Sequence, residues 1–283
     1  MKIYISGGSG NIGKHLIPLL IEKGHYVIND SLKDLTHSEK YKNYTYYDYD
    51  ISDSEKVGEV FKLERPDIVI HLAGILSDNC EKDRDLAYRV NVLATKILAD
   101  LSLKYSVKRF IFSSTCAVYE QNELVPTKED ENINPISYYG KTKLEAENYL
   151  LNLAGLPVVV LRIFNVYGDS FDSSLVNKLL KSSAESVVPI IKPDKYYRDY
   201  IHYIDVINVI AKAVSAEIKK EKIIINVASG KATSNSDLIK ELSKNRKLFF
   251  KEVKTDDNLD LYWADISNLK RYIPFNPSRI TYF

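Results

Sequence analysis

The stretch YISGGSGNIGKHL, residues 4–16, decides how this chain is read. An apolar triplet at Ile3, Tyr4 and Ile5 runs into Gly7, Gly10 and Gly13, and then into an amphipathic run at Ile12, Leu16, Leu19 and Leu20. Glycines at every third position between a strand and a helix make a turn that closes tightly and admits a phosphate where a Cβ would otherwise stand. A helix beginning near Asn11 directs free N–H groups and a partial positive charge at that phosphate. The spacing therefore predicts a dinucleotide site on Gly7, Gly10, Asn11, Ile12 and Gly13, although ordinary glycine-rich strand–helix turns share the pattern.

Further acids support that reading. Asp30 follows the second apolar run at about the separation, roughly 20 residues, expected of a ribose-binding carboxylate. There it accepts both adenosine ribose hydroxyls and repels a 2′-phosphate, which favours NAD over NADP; Lys33 nearby works against that preference. Asp50 and Ile51 follow the third run. They either hold the adenine edge or begin a helix as its N-cap, and the sequence favours neither.

Outward from the turn, near-continuous apolar runs at 2–6, 26–29, 44–48, 67–72, 109–113 and 158–163 read as strands buried on both faces. Helical patterns lie between them, the clearest at 85–103 with Leu86, Val90, Leu93, Ile97 and Leu101 in one stripe. A second face of that helix carries Val92, Thr95 and Ala99, so one face packs on the sheet and the other is free for a partner. The alternation predicts an α/β, doubly wound parallel sheet of Rossmann type. The pattern weakens after Gly168: 169–197 is irregular, 200–219 is helical around Val206, Ile210 and Val214, and a strand-like run at 222–229 precedes a helix from Ser236. The expected division is a dinucleotide domain over 1–168, rejoined by 198–220, with 169–197 and 221–283 forming a small C-terminal substrate-binding cap.

The bulk numbers narrow the partners. The 283 residues include 39 Lys plus Arg against 38 Asp plus Glu, which gives no support for a nucleic-acid or acidic-membrane partner. No apolar run approaches the roughly 18 residues of a membrane span, and no basic segment with an apolar signal core opens the chain. Cys80 and Cys116 are the only cysteines. They lack metal-ligand spacing and are too few for a disulfide framework, so no metal is expected and a reducing cytoplasm is.

The chemistry gathers in two stretches. In NPISYYGKTKLEAE, residues 134–147, Tyr139 and Lys143 share one helix face. An ammonium beside a phenol stabilises the phenolate, lowering a pKa that is otherwise about 10 and making Tyr139 a proton acceptor near neutrality. With 21 tyrosines in the chain, chance pairs of this spacing are expected. In RFIFSSTCAVYE, residues 109–120, a strand ends on Ser113, Ser114 and Thr115. Open α/β sheets bind ligands at such ends, where a hydroxyl can bond a substrate oxygen and share a proton with Tyr139; the same hydroxyls also satisfy local backbone groups. Cys116 reads as a small packing residue.

Together these motifs resemble the extended short-chain dehydrogenase/reductase family, in its sugar-nucleotide epimerase/dehydratase branch, from Lys2 to about Ser229. SGGSGNIG, residues 6–13, resembles the family's Thr-Gly-x-x-Gly-x-x-Gly turn with Ser6 for threonine, and VIHLAG, 69–74, its fourth-strand motif. Asn91 in YRVNVLATKIL, 88–98, matches a helix asparagine; FSSTCAVY followed by YYGKTK matches the Ser/Thr–Tyr–Lys set; LRIFNVYG, 161–168, and YRDYIHYIDV, 197–206, are two further hallmarks. The resemblance implies that Leu72, Ala73, Gly74, Asn91, Ser113, Tyr139 and Lys143 join the glycine turn, Asp30, Asp50 and Ile51 in holding NAD. It implies catalysis by Thr115, Tyr139 and Lys143, and a nucleotide-sugar diphosphate on Asn165 and Arg198, with Thr115 also on the substrate. For Arg198 a structural ion pair with Asp199 or Asp205 is the competing reading. His202 reads as structural.

The resemblance further implies a hydride passing between sugar C4 and nicotinamide, and a homodimer through the 85–103 helix and the helix carrying Tyr139. Cys116-Ala117, where family dehydratases carry Asp-Glu, removes the acid needed to expel a C6 hydroxyl. Epimerisation at C4 is the expected outcome. A cap short for the family weighs against a standard UDP-hexose 4-epimerase and leaves reduction of a nucleotide-activated 4-keto-6-deoxysugar as the alternative, with a non-catalytic NAD-binding protein behind it.

Overall fold

Ile3 and Ile5 point to one side of their strand and Tyr4 to the other, and all three are fully buried. That alternation repeats through a central sheet clothed on both faces. The computed structural model describes residues 1–33, 41–120, 125–131, 133–255 and 258–278. In chain order its strands are β1 (Lys2–Ser6), β2 (Tyr26–Asp30), β3 (Tyr44–Tyr47), β4 (Ile68–His71), β5 (Arg109–Thr115), β6 (Val158–Ile163), β7 (Asn165–Tyr167), β8 (Val188–Ile191), β9 (Tyr196–Arg198), β10 (Tyr200–His202), β11 (Lys222–Val227), β12 (Thr233–Ser234), β13 (Phe250–Val253) and β14 (Asp260–Tyr262). The helices are α1 (Gly13–Glu22), α2 (Ser54–Glu64), α3 (Ser77–Lys82), α4 (Arg84–Tyr88), α5 (Ala94–Lys104), α6 (Tyr138–Asn152), α7 (Leu175–Leu180), α8 (Tyr203–Ser215), α9 (Asn235–Leu242) and α10 (Ser267–Tyr272).

Seven parallel strands form the main sheet in the order β11-β6-β5-β4-β1-β2-β3. The expected doubly wound sheet is present. Leu16, Ile17 and Leu20 of α1 with Val206, Val209 and Ile210 of α8 cover one face. Phe61 of α2, Leu98 of α5 and Leu150 of α6 cover the other, over Tyr4, Val69, Phe110 and Phe112. The chain reverses its direction of winding between β1 and β4, which leaves a crevice above their C-terminal ends, the general ligand site of such sheets.

Three sequence expectations need correction. The run at 222–229 was expected in the cap, but β11 is the edge strand of the main sheet, pairing with β6 from Lys222↔Val158 to Val227↔Ile163. Its Ile223, Ile225 and Val227 supply the apolar side that this edge needs. The 200–219 segment begins as a short strand, β10 on β7, before α8 starts. The long helix at 85–103 is interrupted by a π-helical turn, Arg89–Leu93, with Asn91 at its centre and fully buried. The buried side of that helix is the small-residue one: Ala87, Val92, Thr95 and Ala99 face inward, while Leu93 is 41% exposed and Val90, Ile97 and Leu101 are half-buried.

Beyond the sheet, Tyr167, Val176, Leu179, Val188, Ile190, Tyr200, Leu238 and Leu242 make a separate small core. It joins α7 and α9 to β7, β10 and β8, beside the short sheet β12-β9-β14.

Candidate active site

The glycine turn begins where β1 ends. Gly7 has φ +69°, the left-handed region, and a Cβ there would stand 2.7 Å from the Ala73 backbone at the end of β4. Only glycine lets the two strand ends approach so closely. Gly7 also donates its N–H to the Asp30 carbonyl at 2.7 Å, so three strand ends meet at one point. The helix that follows starts at Gly13, with Ile12 at its N-cap and no side-chain hydrogen bond capping it, and its N-terminus at Asn11, Ile12 and Gly13 lies on the crevice lining.

A cavity of about 450 Å³ runs from this turn past Asp30, Lys33, Asp50 and Ile51 to Leu72, Ala73 and Gly74. The Asp30 carboxylate accepts the Tyr4 hydroxyl at 2.8 Å, and Tyr4 in turn bonds Tyr49 at 2.9 Å. Burial raises the Asp30 pKa to about 7, with Tyr4 opposing the rise and Asp50 and Asp48 adding to it. The alternative role for Asp50 is excluded: Asp53 caps α2 through the Lys56 N–H, while Asp50 accepts from Ser52 and lines the cavity.

A second cavity, about 390 Å³, shares Gly7, Gly10, Leu72 and Gly74 with the first. Asn11, Ile12, Gly13, Ser113, Thr115, Tyr139 and Lys143 complete it. Helix α6 delivers the last two. Ser137 caps its N-terminus by accepting the Gly140 N–H at 3.1 Å. A Cβ at Gly140 would lie 2.2 Å from the Ala117 carbonyl oxygen, so glycine at 140 is what lets α6 settle against the turn after β5 and bring Tyr139 beside Thr115.

The electrostatics differ from the sequence expectation. Burial dominates Tyr139 and pushes its phenol up, opposed by the hydrogen bond from the Thr115 hydroxyl. Burial also takes Lys143 down to about 8, partly offset by Glu147 one helical turn on. The ammonium lies 4.2 Å over the Phe112 ring. A cleft that raises a phenol and weakens the neighbouring ammonium works against the expected lowering of Tyr139.

Asn91 does not line either cavity among the described residues. Its amide accepts the Ile75 N–H at 2.8 Å and donates to the Ile75 carbonyl at 3.0 Å and to Thr142 at 3.1 Å. It clamps the segment after β4 to α6 and so shapes the trench from behind. A Cβ at Gly74 would stand 3.2 Å from the Asn91 oxygen and 3.8 Å from the Lys143 ammonium, so the bare backbone there keeps the trench open. Ser113 donates to the His71 carbonyl at 2.9 Å, so part of its hydroxyl serves the local backbone.

The third cavity, about 800 Å³, opens from the second through a shared wall of Leu76, Tyr139, Phe164, Val166 and Phe171. Asn165 and Arg198 lie on its lining with Lys178, Tyr196 and Asn235. The competing reading for Arg198, an ion pair with Asp199 or Asp205, is not what forms among the described residues. Its partner is Asp260, at 2.7 Å. Asp199 instead accepts from Ser229, Gly230 and Ala264, and Asp205 from Ser278. His202 packs as a buried ring between Tyr167 and Tyr203. Burial pushes the Cys116 thiol up to about 12, in keeping with a packing residue. Sequence reasoning missed Tyr196, Phe171 and Asp260. Tyr196 was within reach, since it shares a strand face with Arg198 two positions on.

Residues 3–228 match the family described as NAD dependent epimerase/dehydratase. The chain belongs to that family. Among epimerase/dehydratase relatives, a putative UDP-glucose 4-epimerase of Methanocaldococcus jannaschii is 31% identical over 257 residues, spanning 83% of this chain and 79% of its own. A UDP-glucose 4-epimerase of Thermotoga maritima, solved with UDP-glucose, is 30% identical with a TM-score of 0.84 and covers 98% of this chain and 94% of its own. A UDP-glucuronic acid 4-epimerase of Bacillus cereus, solved with UDP-glucuronic acid and NAD, is 26% identical with a TM-score of 0.84, covering 99% and 95%.

Proposed function

We propose that this chain is an NAD-dependent nucleotide-sugar epimerase that inverts a sugar carbon, C4, by transient oxidation. One observation carries the reading: three cavities join end to end, from Asp30 through the glycine turn to Tyr139 and on to Asn165 and Arg198. Their proportions suit a dinucleotide meeting a nucleotide sugar at Tyr139. The bare backbone at Gly7 and Gly74 and the carboxylate of Asp30 suit the pyrophosphate and ribose of NAD. Bound there, NAD supplies a hydride acceptor that can return the same hydride.

The protein supplies position and proton transfer. Tyr139 takes the proton of the C4 hydroxyl as the C4 hydrogen departs, and gives it back when the carbon is reduced on its other face. Thr115, bonded to the Tyr139 oxygen, steadies that proton. Lys143, as an ammonium whose charge Glu147 supports, stabilises the phenolate form of Tyr139 that takes the proton. Asn165 and Arg198 anchor the diphosphate while the sugar turns between faces; a planar guanidinium fork matches phosphate oxygens. The relatives above are named as 4-epimerases of UDP-sugars, which makes UDP-hexoses the first substrates to try.

The experiment is a panel of UDP-, GDP- and dTDP-sugars with the purified protein. Interconversion of C4 isomers without net change in NADH is expected. Net oxidation of NADH with a 4-keto sugar would establish the reductase instead. Tyr139→Phe should lose roughly 10²–10⁴-fold in turnover and keep its NAD; unchanged turnover removes Tyr139 from this role.

We further propose a cytoplasmic homodimer. No helix of the described residues is long and apolar enough to cross a membrane. Leu93, 41% exposed, with the half-buried Ile97 and Leu101 on the same side, offers apolar surface to a second copy.

A further inference from the structure

Arg198 is the only arginine on the third cavity among the described residues, and it is held with unusual completeness. Its guanidinium carbon stands 3.7 Å from the centre of the Tyr196 ring, with Tyr262 5.9 Å away. Stacking on Tyr196 fixes the plane of the guanidinium. It does not fix rotation within that plane. That second constraint comes from Nη1, which donates to the Asp260 carboxylate at 2.7 Å and to the Tyr197 carbonyl at 2.7 Å. Both side chains of the ion pair are mostly buried, 12% and 14% exposed, so water does little to loosen it. Tyr196 and Arg198 alternate on β9, Asp260 and Tyr262 on β14, and the two strands run parallel with Asp260↔Tyr196 and Tyr262↔Arg198 in register. Side chains two apart on a strand share a face, so the four groups converge on one side of this small sheet.

We propose that Asp260 is a positioning residue for substrate binding: it locks the in-plane orientation of the Arg198 guanidinium, so that the fork is already set when a diphosphate arrives. The inference rests on the reading of the third cavity as a nucleotide-sugar site. Its physical content is pre-organisation. An arginine side chain carries a large rotamer entropy, and a fork fixed beforehand loses less on binding. Asp260 also brings a negative charge close to an anionic ligand, which opposes binding. The geometry assigns the larger weight to orientation, because the carboxylate takes a nitrogen already turned toward the Tyr197 carbonyl.

Two substitutions separate the two effects. Asp260→Asn removes the charge and keeps an oxygen that can accept from Nη1; Asp260→Ala removes both. Calorimetric titration of the NAD-loaded protein with UDP should show Asp260→Ala weakened about tenfold, as for the loss of one hydrogen bond to a charged group. Asp260→Asn should stay within about threefold of the wild type, by the same argument. In an Arg198→Ala background, Asp260→Ala should add nothing, since its effect passes through the guanidinium. With a turned-over UDP-sugar, KM should rise and kcat hold, as expected for a contact remote from the reacting carbon. UDP binding by Asp260→Ala equal to or tighter than wild type overturns the proposal, and so does an equal loss in the Arg198→Ala background. Failure of the wild-type protein to bind UDP at all overturns the substrate reading itself, and is seen before any variant is made.

Discussion

Burying a phenol and an ammonium in one cleft disfavours both charges, and Tyr139 and Lys143 carry that tension. The pair was legible in the sequence because four positions on a helix define a face. The direction of its titration was not, because burial is a property of the surroundings, and the spacing contains none of it. Asp30 gives the same lesson in a measurable form. Its carboxyl ordinarily ionises near 3.8 and here near 7. The fold thus favours the protonated acid; that contribution is fully present below about pH 4 and is lost as pH rises to 7 and beyond. Each pH unit of displacement is worth about 1.4 kcal/mol. Denaturant unfolding of the NAD-free protein should therefore show stability falling from pH 4 to 8 relative to Asp30→Asn, in which this contribution is absent; parallel profiles would show that Asp30 does not titrate there. Gly7→Ala should abolish NAD retention, read by the absorbance of released coenzyme, because a Cβ at that φ meets the Ala73 backbone at 2.7 Å. Retained coenzyme would show that the strand ends can part without consequence.

Helix α6 is the element on which the chemistry hangs, and it is pinned along its length. Ser137 caps it, Gly140 seats it on the Ala117 carbonyl, and Glu147 takes the Arg162 guanidinium of β6 through Nε at 3.1 Å and Nη2 at 2.6 Å, with Ser114 on the same carboxylate. Both charges of that pair are almost wholly buried, 3% and 0% exposed. Removing one partner strands the other, so Arg162→Met should cost about 3–5 kcal/mol in chemical denaturation, and Ser137→Ala about 1 kcal/mol. A cost near zero for Arg162→Met would mean that the fold re-houses Glu147. The pairing was hidden in the sequence. Arg162 sits inside an otherwise apolar run that reads as a strand, and no local pattern names its partner. The neighbouring helix shows a different failure. Counting apolar residues left open which of its two faces lies inside; close packing against the sheet selects Ala94, Thr95, Leu98 and Ala99, and the π turn around Asn91 shifts the register beyond it.

For the whole molecule, the doubly wound parallel sheet followed from the alternation of strands and helices, and six of its seven strands were readable as apolar runs. The seventh, β11, was readable as a strand but not as a member of this sheet, since its partner β6 lies far back in the chain and nothing between them marks a return. The same distance conceals Asp260 from Arg198, separated by 62 positions. At this scale the outer stripe makes a testable demand. A homodimer over Leu93 and Ile97 predicts twice the 32.4 kDa chain mass in light scattering at micromolar concentration, and half that mass for Leu93→Glu. A wild-type monomer would dismiss the pairing.

The far end of the polypeptide reaches back to the rim of the third cavity: Tyr262 accepts from the Asp199 amide, Ala264 donates to the Asp199 carboxylate, and Asp260 steadies Arg198. Every residue lining the first two cavities, from Gly7 to Phe171, has been synthesised well before that strand leaves the ribosome. Coenzyme capture and sugar capture are in this way written into different parts of the message, and a proteolytic nick late in the chain can disarm the second while sparing every side chain of the first.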